Sequence, residues 1–277
     1  MILYTTLAIG GIGLICGSAL ALAARFLAVH EDPRVEELTE ILPGVNCGGC
    51  GYAGCGDYAK AVVLDGVEIT LCAPGGADTL TNMAAFMGVE AESGEKQVAV
   101  VLCGGDSDQA PRQFQYNGVA DCTAAHAVGG GDKKCRYGCL GYGSCARACP
   151  VGAIEITDKN LAVVHPALCI SCSKCVRTCP RHLIKMVPES RHAHVMCSSK
   201  DKGPIVKKAC KVGCIGCRIC TKQVEDEAIT MDGFLAIVNY DKPIESATVA
   251  PKCPGKCIVD THPPPAPVEE EKVEAEA

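Results

Sequence analysis

Cysteine dominates the chemistry open to this chain: 22 of its 277 residues are Cys, against four Phe, seven Tyr and no Trp. Thiols at that density serve disulfides or metal, and spacing decides, because a disulfide framework has no need of repeated short-gap runs. In "NCGGCGYAGCGDYAKAVVLDGVEITLCAPGG" the sulfurs are spaced Cys47-x2-Cys50-x4-Cys55-x16-Cys72. Gly48, Gly49, Gly51, Gly54 and Gly56 lie between them, which suits a loop that must wrap closely around a bulky inorganic core with positive φ available. Structural zinc favours two pairs of knuckles instead. The thiols therefore read as reduced, cytoplasmic ligands of iron-sulfur clusters.

The stretch "LCISCSKCVRTCPRHLI" is Cys169-x2-Cys172-x2-Cys175-x3-Cys179-Pro180, the run of bacterial ferredoxins. Upstream, "KCRYGCLGYGSCARACPVGAI" reads Cys135-x3-Cys139-x5-Cys145-x3-Cys149-Pro150, with its first two gaps widened. In a two-cluster ferredoxin the fourth Cys of each run serves the other run's cluster. The expected sets are then Cys135, Cys139, Cys145 and Cys179, and Cys169, Cys172, Cys175 and Cys149.

A third region is degenerate. "GCIGCRICTKQVEDEAI" holds Cys214, Cys217 and Cys220, but Val224-Glu225 stands where Cys-Pro would close the run. Counting the ferredoxin register back from Cys253-Pro254 lands on Pro243, Ser246 and Val249. An Ile follows each closing position by five residues (Ile154, Ile184, Ile229 and Ile258), and "NLAVVHPALC" (160–169) matches "FLAIVNYDKP" (234–243) without a gap, as a strand leading into each second run. Cys214, Cys217, Cys220 and Cys253 are thus expected to share one [4Fe-4S] cluster, while the companion set has no thiolate. Sixteen ligands imply about four clusters, or three if Cys253 is a spare thiol. Cys210, in "CKVGC" mirroring "CRYGC", is an alternative ligand to Cys217. Cys16 lies in an apolar helix; Cys103, Cys122, Cys197 and Cys257 are expected as buried free thiols, with an extra metal site built from them as the alternative.

These ligands must be positioned. From Ile2 to Ala24 no residue is charged, and 23 helical residues reach roughly 35 Å, enough for a hydrocarbon core of about 30 Å. Arg25, Arg34 and Lys60 follow that span, which puts the remainder on the cytoplasmic side of the inner membrane as a single-pass protein. Asp57 to Leu64 has helical periodicity and sets the distance between the third and fourth ligands of the first group. The expected fold is a single N-terminal transmembrane helix (1–30), a small α+β four-cysteine [4Fe-4S] domain (31–92), a connecting segment (93–132), and tandem bacterial-ferredoxin-like α+β units, one with two clusters (133–188) and one with a single cluster (189–260). A disordered Pro-rich and acidic tail (261–277) follows.

Residues 133–222 carry 17 Lys and Arg against four Asp and Glu, a balance of +13 that leaves −19 elsewhere, given the chain total of −6. Lys200, Lys202, Lys207, Lys208, Lys211, Arg218 and Lys222 surround the single-cluster unit and could steer an acidic electron carrier; solvated lysines on an ordinary surface are the bland alternative. The net negative charge and few aromatics exclude nucleic acid as a partner. No Gly-x-Gly-x-x-Gly after a strand, Gly-x-Ser-x-Gly or His-Glu-x-x-His occurs, so no catalytic residue is expected, and His192 and His194 read as exposed surface histidines.

The first group, with its "CGxCGYxGC" core and closing "CxPGG", resembles the four-cysteine [4Fe-4S] domain of corrinoid iron-sulfur proteins and of the B subunit of the Rnf complex, the membrane-bound ferredoxin:NAD+ oxidoreductase. The helix directly before it points to the Rnf subunit, over Ile2 to roughly Val259. The resemblance implies an electron-transfer subunit that takes electrons from reduced ferredoxin and hands them to other membrane subunits, the ion-translocating reaction belonging to the whole complex. An anchored polyferredoxin of a hydrogenase or heterodisulfide reductase has the same cluster pattern, and a non-redox iron or zinc scaffold is a further alternative.

Overall fold

The computed structural model describes residues 2–26, 32–90, 94–225 and 227–261; the acidic tail expected from 261 lies, after Thr261, outside them. Helix α1 (Ile2–Phe26) is 25 residues long. Its stretch Ile9–Phe26 has mean hydropathy 1.7, and none of it is buried against the rest of the protein. Leu14, Ile15 and Leu20 are each more than two-thirds exposed, apolar surface that a bilayer would cover.

Three helices follow: α2 (Pro33–Ile41), α3 (Cys55–Asp65) and α4 (Gly76–Met87). Asp32 caps α2 by accepting the Arg34 N–H at 3.0 Å, with Pro33 in the first turn. Helix α3 stops at Gly66 and α4 at Gly88, both left-handed. The helices pack through Val35, Leu38, Tyr58, Val62 and Met83, each such burial contributing about 1.5–3 kcal/mol. No strand occurs among described residues 32–90, so the expected α+β domain is helical here. Its apolar residues recur at helical spacing, and its glycine-rich loop has no alternation for a strand to use.

Beyond it the chain builds two α+β units on one plan. In the first, β1 (Gln97–Val101) leads to an insert carrying α5 (Cys122–Ala127). Next come α6 (Ser144–Ala148), the hairpin β2 (Ile154–Ile156) and β3 (Ala162–Val164), α7 (Lys174–Thr178) and β4 (Ile184–Pro188). Strand β4 returns antiparallel to β1, with Val101 opposite Ile184. The segment expected as a connector therefore supplies the unit's outer strand, and the unit starts at Gln97 rather than at 133. The second unit repeats the order: β5 (Ala193–Val195), an insert with α8 (Gly203–Ala209), the hairpin β6 (Ile229–Asp232) and β7 (Leu235–Val238), α9 (Ser246–Val249) and β8 (Ile258–Asp260) paired with β5. The four isoleucines that set the repeat register, Ile154, Ile184, Ile229 and Ile258, each begin a strand and are buried.

Candidate functional site

Each unit presents its first thiols on a tight loop. Two and four residues after the leading Cys the backbone turns left-handed: Gly141 and Gly143 after Cys139, Ser171 and Ser173 after Cys169, Gly216 and Arg218 after Cys214. Positive φ disfavours side chains such as Ser and Arg, so its recurrence at equivalent positions marks a geometry imposed by the site. The middle position of the loop is Cys172 or Cys217 in two cases and Tyr142 in the third.

Cys149, Cys169, Cys172 and Cys175 line one cavity of about 330 Å3, the set expected from the second run. The Ala153 N–H points at the Cys149 sulfur at 3.2 Å. A neighbouring cavity of about 370 Å3 is lined by Cys139, Cys145 and Cys179, but its fourth thiol is Cys122, not Cys135. Asp121 caps α5 through the Thr123 and Ala124 N–H groups and accepts the Ser144 hydroxyl at 2.6 Å, which holds Cys122 beside the loop. Cys122, expected as a buried free thiol, is buried and lines this cavity, while Cys135 does not. The register carries the reason: counting x3, x2, x2 back from Cys149 lands on Cys145, Tyr142 and Cys139, leaving Cys135 outside and one thiol missing.

Cys214, Cys217, Cys220 and Cys253 line a third cavity of about 350 Å3, together with Cys257. Cys253 and Cys257 sulfurs lie 3.6 Å apart. The Cys257 thiol donates to its neighbours: a hydrogen bond from it holds the Cys253 thiol down to about 5 and also lowers Cys214, while Cys257 itself is pushed up. Cys210 does not join this set but lines a cavity elsewhere, with Cys135. Where a second cluster of this unit would sit, Val224 and the fully buried Val249 pack against Val195 and Ile258.

In the helical domain, burial raises the Cys72 thiol, and the sulfurs of Cys55, Cys47 and Cys50 raise it further, so the four thiols face one another. The Gly49 N–H approaches the Cys47 sulfur at 3.4 Å. A Cβ at Gly49 would lie 3.2 Å from the Cys172 carbonyl oxygen, so glycine lets this loop close on the neighbouring cysteine loop. The Arg177 guanidinium donates across the same contact to the Gly48 carbonyl at 3.4 Å.

Buried thiols crowded together resist ionisation: burial first, then neighbouring sulfurs, push Cys145 up to about 12 and Cys175 and Cys220 up to about 11. A cationic iron core would reverse that cost. Among the described residues no three thiol, imidazole or carboxylate groups converge closely enough to share one metal ion. His194, expected on the surface, is buried, its ring 3.0 Å from the Tyr240 hydroxyl; among the described residues neither it nor His192 belongs to a metal-binding group.

A family model described as "Putative Fe-S cluster" matches residues 42–74, which contain Cys47, Cys50, Cys55 and Cys72. Over 90% of its length the chain is 43% identical to the B subunit of the Na(+)-translocating ferredoxin:NAD(+) oxidoreductase complex of Acetobacterium woodii, covering 75% of that protein. It is 36% identical to the B subunit of the ion-translocating oxidoreductase complex of Methanosarcina acetivorans, covering 95% of it. Against the proton-translocating counterpart of Clostridium ljungdahlii the identity is 42%, with 88% of that protein covered.

Proposed function

Since the chain belongs to the family of B subunits of ion-translocating ferredoxin:NAD+ oxidoreductase (Rnf) complexes, we propose that it accepts electrons from reduced ferredoxin on the cytoplasmic side and relays them to membrane partners. Membership makes it an iron-sulfur electron-transfer subunit of an oxidoreductase complex, associated with the membrane. The finer reading concerns where electrons enter and which cysteines carry them.

Bound [4Fe-4S] clusters would supply one-electron carriers. The residues proposed to hold them are Cys47, Cys50, Cys55 and Cys72; Cys149, Cys169, Cys172 and Cys175; Cys122, Cys139, Cys145 and Cys179; and Cys214, Cys217, Cys220 and Cys253. Sixteen ligands correspond to about 16 iron atoms. The chain packs these sets against one another: Gly49 closes on Cys172, and Cys149 and Cys179 interleave the two sets of the first unit. The helical domain follows α1, which suits delivery toward the bilayer through a single anchor.

The observation that carries the entry point is Cys217. It is the exposed thiol among these sets, and Lys202, Lys207, Lys208, Lys211, Arg218 and Lys222 of the same basic unit are all exposed. Such a surface draws in an acidic carrier and brings it within reach of that thiol's cluster. The test is stopped-flow reduction of the anaerobic, detergent-solubilised full chain by reduced ferredoxin, with and without Lys207→Glu and Lys208→Glu together. The double variant should be reduced roughly tenfold more slowly at low salt, with a flatter salt dependence, and at an unchanged rate by dithionite. Equal rates with ferredoxin would refute this docking face.

A further inference from the structure

Four cysteines outside the sets above, Cys103, Cys135, Cys197 and Cys210, line a single cavity of about 420 Å3 at the junction of the two α+β units. Each unit contributes an equivalent pair. Cys103 lies two residues beyond β1 and Cys197 two beyond β5, while Cys135 and Cys210 stand four residues before the leading thiols Cys139 and Cys214.

The local bonding repeats with the positions. The Cys103 N–H donates to the Val101 carbonyl at 2.8 Å and the Cys197 N–H to Val195 at 2.8 Å; the Leu102 N–H reaches Leu183 at 2.8 Å and the Met196 N–H reaches Cys257 at 2.6 Å. The Cys139 N–H points at the Cys103 sulfur at 3.3 Å, and the Cys214 N–H bonds the Cys197 sulfur in the same way. Between the units, the Gly104 N–H bonds the Met196 carbonyl at 3.0 Å and the Ser198 hydroxyl bonds the Leu102 carbonyl at 2.9 Å. The sulfurs converge, since Cys135, Cys197 and Cys210 each feel the charge of Cys103. A Cβ at Gly105 would lie 3.3 Å from the Cys210 sulfur and 3.7 Å from that of Cys103.

Two cations act on these thiols from within the protein, Lys133 on Cys210 and Arg181 on Cys135. Lys133, 1% exposed, donates to the Gly105 carbonyl, and Arg181 donates to the carbonyls of Cys135, Gly138 and Gly130. Neither forms an ion pair with a carboxylate among the described residues. Lys133 is fully buried, and Arg181, half-buried, has the Asp132 carboxylate near enough to act on it; burying a cation is costly, and a cluster site carrying about two negative charges would offset that cost. Four free thiols packed for their bulk alone would require neither the repeated positions nor the cations.

Resting on the iron-sulfur reading above, we propose that Cys103, Cys135, Cys197 and Cys210 hold a fifth [4Fe-4S] cluster that joins the two units. The site touches Cys139 on one side and Cys214 on the other through backbone N–H to sulfur bonds, and so lies between the exposed Cys217 set and the first unit. It would take one electron from one neighbour and pass one to the other, with no bond made or broken and no proton moved. The unit that keeps one cluster of two keeps the one next to this junction, and the aliphatic core around Val249 fills the place left over.

The test is native mass spectrometry of the full chain, purified anaerobically in detergent, with iron, sulfide and zinc quantitation. The most heavily loaded species should carry five clusters and about 20 iron atoms, and Cys210→Ala or Cys103→Ala should reduce this to four. A wild-type chain whose fullest species carries four clusters, or holds zinc in place of the fifth, overturns the proposal while leaving the four-cluster relay intact. A chain with no cluster at all overturns both. If the alanine variants fold poorly, the wild-type loading still decides.

Discussion

Ser144 accepts the backbone N–H of Cys122 at 2.7 Å, and that bond ties the insert helix α5 to the loop carrying Cys139 and Cys145. A thiol 17 residues upstream of Cys139 in the chain thereby reaches a loop whose own middle position is Tyr142. Cys122→Ala should remove one cluster, about four iron atoms, and adding Tyr142→Cys to that variant should restore it, because Tyr142 occupies the place of Cys172 and Cys217. Iron content and the EPR spectrum of the reduced protein measure both steps. No loss in Cys122→Ala would dismiss this ligand assignment. Asp121→Ala should cost about 1 kcal/mol through the lost helix cap.

The Cys257 sulfur lies 3.6 Å from that of Cys253, and its neighbours Cys214 and Cys253 push the Cys257 thiol up, so we expect it to serve the site as a hydrogen-bond donor and not as a ligand. Hydrogen bonds to ligand sulfurs stabilise the reduced, more negative cluster and raise its potential. Cys257→Ala should keep every iron atom and lower one midpoint potential by some tens of millivolts, on the order of 1 kcal/mol per lost bond. EPR-monitored redox titration checks it; loss of a cluster would make Cys257 a ligand instead. Cys253→Ser, by contrast, should remove one cluster.

Val249 fills the position of a lost ligand and is 1% exposed. Truncation to Ala removes two methyl groups' worth of burial and leaves a small cavity, a cost of about 2 kcal/mol. Urea unfolding followed by circular dichroism should show the midpoint fall with the iron content preserved. An unchanged midpoint would mean that this half of the unit is loosely packed.

Tyr58 donates its hydroxyl to the Glu68 carbonyl at 2.7 Å, and burial pushes the phenol up to about 12. An unfolded tyrosine titrates near 10. The raised folded value means that this contribution to stability is fully present below about pH 10 and is lost as pH rises through about 12. The wild-type minus Tyr58→Phe difference in phenolate absorbance should therefore appear near pH 12. A midpoint near 10 would place Tyr58 in water. At neutral pH the Phe variant should lose about 0.5–1.5 kcal/mol.

The loops of Cys169 and Cys214 were legible because everything they require is local, whereas the Cys139 loop, with Tyr142 at its middle position, was read with Cys135 in it. Ligands three residues apart on a turn with positive φ at two fixed positions leave a spacing in the chain, and the isoleucine that begins each following strand keeps its distance from the closing position. The loss at Val224, Pro243, Ser246 and Val249 was readable for the same reason. The helical character of residues 32–90 was not, since a glycine-rich loop carrying ligands says little about the elements that flank it. Nor was the outer strand Gln97–Val101, whose partner Ile184–Pro188 lies more than 80 residues away.

By itself, then, the sequence determined that this is an iron-sulfur chain with an apolar N-terminal helix, and which short loops present its thiols, because those features depend on neighbours along the backbone. Only the tertiary structure decided that Cys122, and not Cys135, lines the cavity with Cys139, Cys145 and Cys179, and that Cys103, Cys135, Cys197 and Cys210 meet at a junction. Those thiols sit on inserts or at strand ends, where no periodic spacing records the partner. Their meeting depends on the bonds that join the ends of β1 and β5 and on the bond from Cys122 to Ser144, contacts that exist only once the two units have folded and packed.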